Sequence, residues 1–135
     1  MRVGASIFAV ALLWVLWPTE ASAQVAFVEG HVFNKKTGVP LPGAVVRITE
    51  NVTSRPVPFE LAVGVTDSNG FYQFSIDKFL GFPAAIQVSC RYGLVTLPGH
   101  ASIQMLREGT IRRDVYLVGR PALTGCQVQE SDDPS

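Results

Sequence analysis

A chain of 135 residues with 11 basic and 11 acidic side chains carries a formal net charge of zero, which removes any electrostatic case for nucleic acid or an anionic membrane surface as its partner. A hydrophobic fraction of 47% leaves enough apolar residues for one core, and the length suits one compact domain.

Residues 1–23 read as an export signal. Arg2 supplies the positive start, Val3 to Trp17 is apolar, Pro18 ends the run, and Ala21-Ser22-Ala23 forms a small-x-small cleavage site before Gln24. The rival reading is an uncleaved anchor, but the apolar run stops short of the ~20 residues a spanning helix needs. The expectation is an exported protein, periplasmic or extracellular, with no stable membrane insertion after cleavage. One domain is expected over 24–119, followed by a polar tail over 120–135.

Strand signals begin at once. From Val25 to Phe33 the even positions Val28, Gly30 and Val32 form a small apolar face, and Phe27, Glu29, His31 and Phe33 lie on the other. Asn34 to Gly38 reads as a polar turn, and Pro40-Leu41-Pro42-Gly43 leads into a second strand, Ala44 to Thr49, with Ala44, Val46 and Ile48 inward. Glu50 to Pro58 is a loop, since Arg55-Pro56-Val57-Pro58 cannot sit in a central strand; it contains the glycosylation acceptor pattern Asn51-Val52-Thr53. In the third strand Phe59, Leu61, Val63 and Val65 are expected inward. Asp67-Ser68-Asn69-Gly70 is a hairpin turn, and Tyr72, Phe74 and Ile76 face the core beyond it.

The fifth strand, Ala84 to Tyr92, puts Ile86, Val88, Cys90 and Tyr92 on one face. Ser102 to Arg107 and Ile111 to Val118 read as a last hairpin, with Val115 and Leu117 inward. Seven short strands with turn signals between them predict an all-β, seven-stranded antiparallel sandwich. Cys90 and Cys126 leave two readings open: an even count in an oxidising compartment favours a disulfide, while the inward position of Cys90 suits a buried free thiol.

The run Gly30, Val32, Gly38, Pro40, Leu41, Gly43, Ala44 and Val46 resembles the opening of the carboxypeptidase regulatory-like domains. The stretch Thr66 to Phe74 is similar to the second signature of the same family. The resemblance spans about Val25 to Val118 and implies a transthyretin-like (prealbumin-like) fold in an exported, non-catalytic module with an interaction or structural role, acting on a protein or glycan partner. No cofactor is implied.

A second, narrower resemblance concerns chemistry. His31-Val32 resembles the first strand of the transthyretin-like 5-hydroxyisourate hydrolases, which implies His31, Arg47 and His100 as candidate catalytic residues. The closing Tyr-Arg-Gly-Ser motif of those enzymes has no counterpart in Tyr116-Leu117-Val118-Gly119-Arg120. A third reading is a carbohydrate- or peptide-binding domain using the Glu50 to Pro58 loop. Asp67 and Asn69 lack the further oxygen ligands of a calcium loop, and the chain has no CxxC, HExxH or Gly-x-Ser-x-Gly pattern, so no metal site is expected. Arg107, Arg112, Arg113 and Arg120 read as solvated charges on the last hairpin.

Overall fold

The computed structural model describes residues 24–51 and 56–127. The expected export signal, residues 52–55 with two of the three positions of the glycosylation pattern, and the end of the tail lie outside the described residues. Among the described residues there are eight strands: β1 Ala26–Asn34, β2 Val45–Glu50, β3 Glu60–Val65, β4 Phe71–Ile76, β5 Ala84–Tyr92, β6 Val95–Ile103, β7 Gly109–Arg112 and β8 Val115–Leu117. One sheet runs β4-β1-β7, with β8 also pairing β1; the other runs β3-β2-β5-β6. The all-β sandwich is therefore the architecture of the chain, with two departures from the expected scheme. The strands number eight, and β7 and β8 both pair with β1 in parallel.

The two segments that carry the family resemblance fold against each other. Val32 N–H donates to Gly70 O at 2.9 Å, and Leu41 N–H donates to Val32 O at 2.8 Å. Thr66, itself buried, donates through Oγ1 to Leu41 O at 2.7 Å and accepts the Ala44 N–H at 2.9 Å. Gly70 has φ 71° and presses so close that a Cβ there would stand 2.8 Å from Leu41 N. The Asp67–Gly70 segment is a turn, as expected: Asp67 Oδ1 accepts the Asn69 and Phe71 N–H groups at 2.8 and 3.0 Å.

Between the sheets lie Val28, Val32, Val46, Ile48, Tyr72, Ile76, Ile86, Val88, Cys90, Val115 and Leu117, the inward sets read from alternation in five strands. Burying a side chain of this size stabilises the fold by roughly 1.5–3 kcal/mol. The third strand keeps Leu61 against the core as read, but beyond a register shift opposite Ile48 and Thr49 its facing is the reverse of the reading. Val63 and Val65 are 48% and 61% exposed, while Ala62 and Gly64 turn inward. The cause is the Phe74 ring, which lies 2.8 Å from where a Gly64 Cβ would be, so only a residue without a side chain fits above it.

The expected last hairpin does not form either. β6 starts at Val95, after a turn through Gly93 at φ 64°, and pairs with β5 from Tyr92↔Val95 to Ala84↔Ile103. Pro98 is tolerated because β6 is an edge strand, and Gly99 leaves room for Leu117, whose Cδ2 stands 2.0 Å from its would-be Cβ. The chain then crosses to the other sheet, held by buried Leu106, whose N–H donates to Phe82 O at 2.9 Å.

The residues after Gly119, read as the start of a polar tail, pack as far as Gln127. Leu123 is fully buried, and buried Asn34 donates from Nδ2 to Arg120 O at 2.9 Å and Leu123 O at 3.1 Å. Cys126 N–H donates to Pro42 O at 2.8 Å and its sulfur is bonded to Cys90, across a sequence separation of 36. Cys90 faces the core as expected but is bridged, so the disulfide reading holds and the free-thiol reading does not.

Candidate functional site

The outer face of the first sheet is built from the odd positions of β1. Register places Gln73 and Arg112 on either side of Glu29, Phe71 beside His31, and Tyr116 beside Phe33. The polar row is tied together: Gln73 Nε2 donates to Glu29 Oε1 at 3.2 Å and Arg112 donates to Glu29 Oε2 at 3.5 Å.

His31 sits at the crossing of this polar row and a row of rings. Its main-chain N–H donates to Asp114 Oδ1 at 2.9 Å, and Asp114 lies 3.9 Å from its Nδ1. Arg112 also approaches Nδ1, at 3.3 Å. Phe33 stacks on the imidazole at 5.5 Å and 18°, Phe71 tilts against it at 5.2 Å, and Tyr116 stacks on Phe33 at 5.4 Å and 28°. Behind this face, the Tyr72 hydroxyl donates inward to Arg113 O, and burial pushes its pKa well above the ordinary phenol range, with the Asp114 charge adding to the rise.

Arg47 and His100 occupy the other outer face. Arg47 is opposite Gln87, and Gln87 is opposite His100, so the three form one row across β2, β5 and β6. Arg47 is ion-paired with Glu60. The row floors an open hollow of about 410 Å³ with Val45, Ser89 and Pro98 at its sides. Of the three candidate catalytic residues, Arg47 and His100 thus share a face, at two strand spacings of about 4.8 Å each, while His31 points away from them on the opposite sheet. Among the described residues, no three His, Cys, Asp or Glu side chains converge in a way that could hold a metal ion.

Sequence reasoning missed Phe71, Arg112, Asp114 and Tyr116 as neighbours of His31. Alternation puts Phe27, His31 and Phe33 on a wet face, which is a usable signal. The parallel pairing that brings Asp114 and Tyr116 to them is non-local and leaves no mark in the strand pattern.

No protein-family model matches the chain, and no curated protein matches it. Similar solved structures include catechol 1,2-dioxygenase from Acinetobacter sp. ADP1 (14% identity, TM-score 0.47, covering 83% of this chain and 58% of that one). Others are an (S)-allantoin synthase (17%, TM-score 0.47, 79% and 46%) and a shaft pilin from Lactobacillus rhamnosus GG (13%, TM-score 0.48, 72% and 50%). The chain spans roughly half the length of these proteins, and the likeness is one of fold alone.

Proposed function

We propose that this protein is an exported, non-catalytic β-sandwich module of the carboxypeptidase regulatory-like kind, with an interaction or structural role. The observation that carries the reading is the separation of His31 from Arg47 and His100 onto opposite faces of the sandwich. General acid–base chemistry needs its groups within hydrogen-bond reach of one reacting centre. Two packed sheets stand about 10 Å apart, and outward side chains on opposite sheets are farther apart still. His31 is instead committed to neighbours that hold it in place, and Arg47 to Glu60.

The disulfide supports maturation in an oxidising compartment, periplasmic or extracellular. Among the described residues no helix is long and apolar enough to cross a membrane. The contacts between the Val32–Leu41 and Thr66–Gly70 segments support the family reading, since they give both signatures one structural task. The test follows the decay of 5-hydroxyisourate with the exported protein and with His31→Ala. Decay at the background rate in both is expected. Acceleration by the wild type that His31→Ala removes would overturn the reading and replace it with the hydrolase.

A further inference from the structure

Resting on that reading, we infer that the outer face of the first sheet is a binding site for a neutral oligosaccharide chain, laid along the ring row Phe71, His31, Phe33 and Tyr116. The rings form a stepped single file that crosses from β4 over β1 to β8, with centroids 5.2, 5.5 and 5.4 Å apart. His31, Phe33 and Tyr116 follow one another near-parallel, at 18° and 28°, and Phe71 is tilted by 59° to His31. Tyr116, at the end of the file, is 56% exposed.

A sugar ring presents an apolar C–H face that stacks on an aromatic ring and a rim of hydroxyls that both donate and accept. The face supplies the second requirement beside the first. Glu29 and Asp114 accept, Gln73 and Arg112 donate, and the polar row Gln73, Glu29 and Arg112 runs alongside the rings. Glu29 and Asp114 against Arg112 leave one net negative charge spread over the row, with both Glu29 oxygens already holding Gln73 and Arg112, which suits an uncharged ligand better than an acidic peptide. The width also decides against a protein partner, which needs a broad apolar centre within about 800 Å² of surface on each side. This file is one ring wide. Its members are already held by stacking on one another, so binding has less side-chain freedom left to freeze.

The experiment is calorimetric titration of the exported protein with cellohexaose, chitohexaose, xylohexaose and mannohexaose. At least one should bind, Tyr116→Ala should weaken it by roughly five- to tenfold, and Tyr116→Phe, which keeps the ring, should stay within about twofold. Leu94→Ala, on a side chain 99% exposed at the β5–β6 turn, serves as the unaffected control. No binding to any of the four by folded protein overturns the inference, as does binding that Tyr116→Ala leaves unchanged or that Tyr116→Phe abolishes. Such a result leaves the non-catalytic reading standing, because that reading fails only on the 5-hydroxyisourate assay.

Discussion

The carbonyl oxygen of Arg113 fills the space beside Gly30 that any side chain would need: a Cβ on Gly30 would lie 1.8 Å from that oxygen and 3.1 Å from the Tyr72 hydroxyl. Arg113 is the residue at which the edge of the first sheet breaks between β7 and β8, and its N–H donates to Glu29 O at 2.8 Å. The break lets the Asp114 carboxylate take the ladder position opposite His31, so Gly30 is indirectly what places Asp114 in the site.

Gly30→Ala should therefore push Arg113 off the sheet and cost about 3 kcal/mol of stability by urea denaturation. Gly38→Ala is the comparison, because a Cβ at Gly38 meets nothing within 4 Å and suffers only from a φ of 75°. Its cost should stay near 1 kcal/mol. Equal losses for the two variants would mean that the Arg113 backbone yields easily.

Much of this arrangement is legible without coordinates, and the rest fails for identifiable reasons. Alternation worked for β1, β2, β4 and β5 because polar residues recur at every second position there, as with Glu29 and His31, Arg47 and Thr49, Gln73 and Ser75, and Gln87, Ser89 and Arg91. It failed for β3, where Leu61, Ala62, Val63 and Val65 make both faces apolar and the size of the Phe74 ring decides which turns inward. The strand Val95–Ile103 carries Pro98 and Gly99, and their edge position and the close approach of Leu117 are tertiary facts that alternation does not record. The family resemblance led to His31, Arg47 and His100, but which face each occupies depended on strand order.

The β3 inversion gives its own test. Phe74→Ala removes a ring packed against the core and should cost about 3 kcal/mol, whereas Val65→Thr, on an exposed position, should stay within about 0.5 kcal/mol. Gly64→Val should be at least as damaging as Phe74→Ala, since it drives a side chain into that ring. A larger loss for Val65→Thr than for Gly64→Val would return the strand to its expected facing.

The bond between Cys90 and Cys126 joins β5 to a segment that also pairs Gln127 N–H with Arg91 O at 2.8 Å. Replacing both cysteines by Ala should lower stability by about 3 to 4 kcal/mol in the chain-entropy account of a cross-link of this span. Hydrogen exchange locates the loss: the amides of Cys126 and Gln127 should exchange much faster while those of β1 and β2 remain slow. Non-reducing peptide mapping of the wild type should recover the two cysteines in one linked fragment, and free thiols at both positions would contradict the bridge.

Tyr72 makes stability depend on alkaline pH. Its side chain is buried and its hydroxyl donates to Arg113 O, so the folded protein holds the phenol proton more tightly than the unfolded chain does. Burial is the main cause and the Asp114 charge adds to it, while Arg113 and Arg112 pull the other way. With the folded pKa raised, the unfolded chain releases its proton first as pH rises past about 10, and from there the native state binds more protons than the unfolded one. The stabilising contribution is therefore complete below about pH 10 and shrinks above it, until the folded phenol ionises in turn. Tyr72→Phe deletes the titrating group and leaves Arg113 O without this donor, at a constant cost of about 1 to 2 kcal/mol near neutrality. Urea midpoints for wild type and Tyr72→Phe should run parallel between pH 7 and about 9 and converge above about pH 10, because only the wild type loses the Tyr72 contribution. Curves that stay parallel into that range would show that the phenol ionises alike in the folded and unfolded chain, and that its hydroxyl is not enclosed beneath the Gly30–Arg113 contact.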